Sequence, residues 1–183
     1  CSVLVMRYVL ALFLLVGCFQ VYAQNVKTTL FGLKVGYNRS VVDGVEPDGS
    51  KTGLIGNEVY ASLFADSKLG EKWNFENELL ISFTDEYSFL EIPLHFKYYF
   101  LNDANLFLGP KFDIILNDED VLTGYNFRNF GGSIDIGAQY ELLERFLVEL
   151  RYSYGLVEQI DDFVLDIYNG TRNTFRLGIG MQF

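Results

Sequence analysis

The feature that most constrains the fold of this chain is a repeated alternation of apolar and polar residues. In NFGGSIDIGAQYEL (residues 129–142), every second residue from Ile134 to Tyr140 is apolar, and aspartate, glycine and glutamine lie between them. Successive side chains of a β-strand point to opposite faces, so this period predicts a strand with one apolar and one polar face. After Gln24, no segment shows a convincing helical period.

Eight segments share this pattern, and their connections alternate in length. The predicted strands are residues 29–38, 55–65, 73–84, 91–100, 105–116, 129–142, 145–156 and 174–183. Long connections are expected at residues 39–53, 117–128 and 157–173, with a short link near 85–86 at the same end. The other end has only short turns, at residues 67–72, 101–104 and 142–144. This layout predicts an all-β fold, an eight-stranded antiparallel up-and-down transmembrane β-barrel with both termini at the turn end.

The period alone does not say which face is outside, because a soluble lipocalin-like, ligand-binding barrel has the same period with its apolar face inward. Residue size favours the transmembrane barrel, because eight strands enclose a space only just wide enough for side chains. The polar face is rich in glycine, which leaves room for long charged side chains on an inner wall and packs nothing on an outer one. These glycines are Gly32, Gly36, Gly109, Gly131, Gly137, Gly155, Gly178 and Gly180.

Aromatic residues cluster toward the strand ends, as expected for rings at the two interfaces of a bilayer. The belt predicted at the turn end is Phe31, Phe75, Tyr98, Phe100, Tyr140, Phe146 and Phe183. The belt predicted at the loop end is Tyr37, Phe89, Phe130, Tyr154 and Phe175.

The charged residues of the polar face are then expected inside the barrel. The predicted polar network of the lumen is Lys34, Glu91, His95, Lys97, Lys111, Asp113, Asp135, Glu149, Arg151 and Arg176, with Glu76 and Glu78 as further members. Buried charges persist when they are paired and hydrogen-bonded, so we expect a plug of mutually neutralised side chains, with Asp135 and Arg151 as one pair. A proton or ion path is the alternative.

Two prolines fall in neighbouring predicted strands, Pro93 and Pro110. Proline cannot donate a hydrogen bond to the ladder. We therefore expect a bulge or a local irregularity where these strands pair.

The N-terminus has the pattern of an export signal. Met6-Arg7 begins it, an apolar run at residues 8–19 follows, and Val21-Tyr22-Ala23 offers a cleavage site before Gln24. We predict a signal peptide at residues 1–23, of which residues 1–5 are interpreted as an upstream artefact, and a barrel domain at residues 24–183. Leu15-Val16-Gly17-Cys18 has the form of a lipoprotein cleavage site and is the alternative.

Several function classes have no support in the composition. The net charge of −10 disfavours a nucleic-acid partner. Beyond Gln24 there is no cysteine, so we expect neither thiol catalysis nor a zinc site in that part of the chain. His95 is the only histidine, so a His-rich metal site is impossible, and its parity turns it away from lipid. We therefore predict no catalytic residues, no metal, no cofactor and no enzymatic activity.

The chain resembles the PorT-like outer-membrane β-barrel proteins of Gram-negative bacteria. The similar segments are TGLIGNEVYASLFA (52–65), FENELLIS (75–82), LEIPLHFKYYF (90–100), LFLGPKFD (106–113), IDIGAQYEL (134–142), VELRYSYGL (148–156) and LGIGMQF (177–183). The resemblance implies a location in the cell outer membrane. It also implies that Phe183, at the C-terminus, is a signal for the barrel-assembly machinery, and that some relatives assist secretion or gliding.

The expected role is structural or partner-binding, carried by a monomer in outer-membrane lipid with long extracellular loops. Those loops carry the acidic runs NDED (117–120) and EQIDD (158–162), whose spacing matches no calcium loop. They could present a surface to another envelope protein. An accessory component of a secretion or gliding apparatus is the alternative function.

Overall fold

The part of the chain that the structure describes contains eight β-strands. The computed structural model describes residues 29–46, 48–83, 88–116, 130–143, 145–158 and 168–183, so the predicted signal peptide and most of both acidic loop runs lie outside the described residues. No helix in these ranges is long and apolar enough to cross a membrane. The strands are β1 (Thr29–Val45), β2 (Lys51–Lys68), β3 (Trp73–Phe83), β4 (Ser88–Tyr99), β5 (Ala104–Ile115), β6 (Phe130–Leu142), β7 (Phe146–Gly155) and β8 (Tyr168–Gln182).

Each strand pairs with its sequence neighbours in antiparallel orientation, and β8 returns to β1 to close the sheet. In β1, Val35 lies between Ala61 of β2 and Ile179 of β8. Closure gives every strand two partners and leaves no edge along the body of the sheet. The predicted eight-stranded up-and-down barrel is confirmed.

The polar face points inward. Asp135 and Arg151 are at most 1% exposed, whereas Ile136 and Leu150 are 57% and 47% exposed. The soluble lipocalin-like alternative is therefore wrong, because its apolar residues would fill the interior. Glycine makes room inside, since a Cβ at Gly36 would lie 2.6 Å from the Tyr60 ring and 2.7 Å from the backbone of Gly178.

Aromatic rings ring the outer wall near both ends. At the turn end Trp73 packs on Tyr98 with ring centroids 4.9 Å apart, and toward the loop end Phe112 stacks on Phe130 at 5.9 Å. Phe89 was predicted in the loop-end belt, and this is wrong because Phe89 is 4% exposed. It has the same parity as Glu91, so it faces the lumen, where its ring lies 3.9 Å from the Arg172 guanidinium carbon.

The connections at the loop end differ from the prediction. Residues 39–53 were expected to form a loop, but β1 and β2 stay paired up to Val45 and Lys51. The reversal between them is short, with Gly49 at φ 87° and Ser50 donating from its hydroxyl and its amide to Asp48, which lowers the pKa of that carboxyl. Polar residues and glycines hid this pairing in the sequence, because they interrupt the apolar alternation.

Strand β8 also begins earlier than predicted. It starts at Tyr168, within the expected 157–173 loop, and its first residues pair with the far end of β1. In the part of the chain that the structure describes, pairing of β2 with β3 begins at Val59–Phe83. Among the described strands, β1, β2 and β8 therefore form a three-stranded extension beyond the rest of the barrel at the loop end.

The two prolines produce the expected irregularity. In the ladder between β4 and β5, the pairs at Leu94–Pro110 and His95–Gly109 are missing. The register is the same on both sides of this gap, as the pairs Pro93–Lys111 and Phe96–Leu108 show. The prolines thus remove rungs without causing a bulge.

Candidate functional site: two charge clusters in the lumen

The lumen is lined by charged side chains that the alternation of all eight strands turns inward. All ten residues predicted for the polar network lie there, and none is more than 4% exposed. They separate into two groups at different heights of the barrel. We call them the loop-end cluster and the turn-end cluster.

The loop-end cluster comprises Glu58, Glu91, Asp113, Lys111, Arg172 and Arg176. Glu91 is its centre, since it accepts from Arg176 at 2.9 Å and lies 3.2 Å from Arg172 and 3.0 Å from Lys111. Arg172 also donates to Glu58 at 2.5 Å. These contacts join β2, β4, β5 and β8 across the bore.

The turn-end cluster comprises Asp66, Glu76, Glu78, Asp135, Glu149, Lys34, Lys97, Arg151 and His95. Lys34 donates to Glu76 at 2.6 Å and to Glu149 at 2.8 Å, and so links β1 to β3 and β7. Lys97 donates to Asp66 at 2.5 Å and to Glu76 at 2.8 Å.

Arg151 contacts three carboxylates of the turn-end cluster. Its nearest partners are Glu149 at 2.5 Å and Glu78 at 2.6 Å. The predicted pair with Asp135 is present at 3.6 Å, as a longer contact from the other terminal nitrogen. The tight β6–β7 turn puts Asp135 diagonal to Arg151, because Gly137 lies directly opposite Arg151.

The two clusters differ in charge balance. The loop-end cluster has three carboxylates and three permanent cations, Lys111, Arg172 and Arg176. The turn-end cluster has five carboxylates against three permanent cations, Lys34, Lys97 and Arg151. His95 lies between two of those carboxylates, with Nε2 3.1 Å from Asp135 and Nδ1 3.5 Å from Glu76.

Aromatic rings fill the space between the charges. The Phe64 ring lies 4.7 Å from the Lys34 ammonium, and the Phe107 ring contacts both His95 and Arg151. The Tyr60 ring lies 4.9 Å from Arg176. Such contacts stabilise cations that have been removed from water.

The predicted network omitted three charged residues of the lumen, Glu58, Asp66 and Arg172. Arg172 was missed because it was placed in a loop, and its strand is seen only once β8 is paired with β1. Glu58 and Asp66 have the inward parity of β2. Glu58 was given no weight because the alternation of that segment is weak, and Asp66 lay just beyond the predicted strand at residues 55–65. The parity of Tyr60 and Phe64 would have identified both carboxylates, because Glu58 and Asp66 lie on the same face of β2.

Phe183 lies at the end of β8, 70% exposed, with its amide donating to the carbonyl of Phe31. It sits at the turn end, beside the start of β1. Its role as an assembly signal stays a prediction.

Comparisons with known proteins agree with this fold. Residues 22–161 match the family model described as outer membrane protein beta-barrel domain. Neisserial surface protein A is similar in structure, with a TM-score of 0.53 and 10% identity over 86% of this chain and all of that one. So is Ail of Yersinia pestis in a phospholipid bilayer nanodisc, with a TM-score of 0.50 and 13% identity over 85% of this chain and all of that one. No curated protein matches the sequence.

Proposed function

Because this chain belongs to the outer membrane protein β-barrel domain family, we propose that it is a barrel closed to solutes that acts by presenting its loop end to a partner. The protein is located in the outer membrane. Barrels of this kind have short turns on the periplasmic side and longer loops outside the cell. The loop end of this chain therefore faces the exterior.

The observation that carries the closed state is the set of ion pairs that cross the lumen at two heights. Lys34 on β1 reaches Glu76 on β3 and Glu149 on β7. Arg172 on β8 reaches Glu58 on β2 and Glu91 on β4. An ion entering the bore would have to displace buried, hydrogen-bonded charges, which is costly.

Conductance in planar bilayers tests the closed state. Protein refolded from a porin-free preparation should give no reproducible channels, while a general porin in the same bilayer does. Reproducible channels of one size in the wild-type protein would contradict the proposal. A matched variant sharpens the test: Lys34→Met removes a cross-lumen pair, so any leak should appear there first.

The partner-binding role is supported by the three-stranded extension of β1, β2 and β8. Its outward positions include polar groups, among them Arg39, Asp43 and Asn57, beside apolar ones such as Ile55, whereas the wall below is apolar. The acidic runs at residues 117–120 and 158–162 follow β5 and β7 in the sequence, and both of these strands end at the loop end of the barrel. We propose another envelope protein as the partner.

Site-specific photocrosslinking in living cells tests that role. A photoreactive residue at Asn57, on the extension, should form a protein adduct. The same residue at Ile136, on the apolar wall, should react with lipid alone. Equal adducts at both positions, or none at Asn57, would count against a partner at the loop end.

Membership of the PorT-like group is part of the proposal, carried by segments such as LEIPLHFKYYF and LGIGMQF. It favours, as the second candidate function, an accessory role in secretion or gliding, and a deletion strain that loses either would support it. We propose further that the chain is monomeric in lipid and that the assembly machinery recognises Phe183. No catalytic role is proposed, because His95 faces the lumen and is fully buried.

A further inference from the structure

The turn-end cluster carries more negative charge than its own side chains neutralise. Asp66, Glu76, Glu78, Asp135 and Glu149 give five carboxylates, and three permanent cations oppose them. The excess is two charges when His95 is neutral. Inside a closed wall this excess is poorly screened by solvent, so a further positive charge would be stabilised there.

His95 is oriented in a way that suggests where that charge lies. Its Nε2 is 3.1 Å from Asp135 Oδ2, and because a carboxylate only accepts, Nε2 carries the proton. The other ring nitrogen, Nδ1, has no hydrogen-bond partner among the described residues, although His95 is fully buried. A neutral ring held this way directs a lone pair into the cluster.

Two carboxylates of β3, those of Glu76 and Glu78, lie close to His95. Glu76, Glu78 and His95 each offer a ligand atom, and these atoms lie within 4.8 Å of one another. Glu78 Oε1, like His95 Nδ1, has no hydrogen-bond partner among the described residues. Two of the three residues thus carry a buried ligand atom without a hydrogen-bond partner among the described residues, and the third, Glu76, is shared with Lys34.

We propose that Glu76, Glu78 and His95 bind one divalent transition-metal ion inside the lumen. One nitrogen and two carboxylate oxygens suit borderline ions such as Zn²⁺ and Co²⁺. A charge of +2 equals the excess of the cluster. Asp135 is then a positioning residue, since a carboxylate on the second nitrogen of a metal-bound histidine fixes the tautomer and the ring orientation.

Lys34 competes with the metal for the same carboxylates. Its ammonium lies 2.6 Å from Glu76 and 3.6 Å from Glu78, but it also has Glu149 at 2.8 Å. When the metal is bound, Lys34 keeps its contact with Glu149. Removing Lys34 should therefore tighten metal binding, whereas a purely structural plug would gain nothing from the metal.

The experiment uses the full barrel refolded into lipid with Co²⁺ or Zn²⁺ present from the start, because a closed lumen hinders entry later. After washing, metal analysis should find about one Co²⁺ per chain, with visible bands of a nitrogen- and oxygen-ligated ion. Protein refolded with a chelator should unfold at a lower urea concentration. Correct folding of each sample is checked by heat-modifiable migration in detergent gels.

Variants separate this site from adventitious binding. His95→Gln and Glu78→Gln should lose the bound Co²⁺, and Asp135→Asn should weaken binding about 10–100-fold. Lys34→Met should bind more tightly than wild type. The control is Asp113→Asn in the loop-end cluster, which should bind as wild type does.

Two results would overturn the proposal. One is folded wild-type protein without stoichiometric Co²⁺ or Zn²⁺, together with nitrogen NMR showing protons on both nitrogens of His95, which makes a proton the extra charge. The other is metal retained equally in wild type, His95→Gln and Glu78→Gln. Neither result depends on whether the lumen conducts, so failure here is distinct from failure of the closed-barrel proposal.

Discussion

The two charge clusters of the lumen are both formed by inward-facing strand residues, but they differ in their balance of carboxylates and cations. Both consist of inward residues from several strands, and both are sealed by aromatic rings. The loop-end cluster is neutral, with three carboxylates and three cations. The turn-end cluster has five carboxylates, three permanent cations and His95.

This difference shows that the carboxylates and cations of a buried cluster in the lumen need not be equal in number. In the loop-end cluster, all three cations form ion pairs with Glu91, namely Lys111, Arg172 and Arg176. In the turn-end cluster, each permanent cation lies within ion-pair distance of two or three carboxylates. Even so, Glu78 Oε1 has no hydrogen-bond partner among the described residues. The two should therefore respond differently when one carboxylate is neutralised.

The largest effect is expected from Glu91→Gln in the loop-end cluster. The change leaves three buried cations with two carboxylates, and it should lower the free energy of unfolding by about 3–5 kcal/mol. Urea unfolding in lipid vesicles measures this, followed by the fluorescence of Trp73, the only tryptophan. A loss of less than about 1 kcal/mol would show that the ion pairs of Glu91 contribute no more than solvent-exposed ones do. The charge balance of the cluster would then not determine stability.

A smaller effect is expected from Glu78→Gln in the turn-end cluster, with both proteins refolded in chelator. The amide oxygen can still accept from Arg151, and the change reduces the excess of carboxylates instead of creating an excess of cations. We expect a loss of about 1–2 kcal/mol. The comparison of the two clusters breaks if Glu78→Gln costs as much as Glu91→Gln in the same titration.

Much of this fold could be predicted from the sequence, because strand parity is a local property. The alternation from Ile134 to Tyr140 fixes which side chains of β6 share a face, and glycine on the polar face fixes which face is inside. The extent of β1 was not predictable in this way. Its far end is held by pairing with β2 and β8, which is a non-local interaction.

The clusters could be predicted as a set of residues but not as two groups. Which charges lie at one height depends on the register between strands, and neighbours such as Lys34 and Glu149 come from β1 and β7. Arg172 was hidden in a predicted loop, so the loop-end cluster lacked one of its three cations. The excess of carboxylates at the turn end was not predictable either, because it too depends on which strands bring their charges to the same height.

The smallest effect concerns the rings that cover the cations, and it compares Phe89 with Phe64. The Phe89 ring lies 3.9 Å from the guanidinium carbon of Arg172, and the Phe64 ring lies 4.7 Å from the ammonium of Lys34. A closer, planar guanidinium gains more from the ring face than an ammonium does. Progressive fluorination of the ring removes this attraction with little change of shape.

Full fluorination at Phe89 should lower the free energy of unfolding by about 0.5–2 kcal/mol, in steps that follow the number of fluorines. The same series at Phe64 should give a shallower slope. Urea unfolding of the two series, again followed at Trp73, measures both slopes in one assay. A flat series at Phe89 would mean that its ring only fills space, and a steeper series at Phe64 would place the stronger cation–ring contact in the turn-end cluster, where the unbalanced carboxylates hold Lys34.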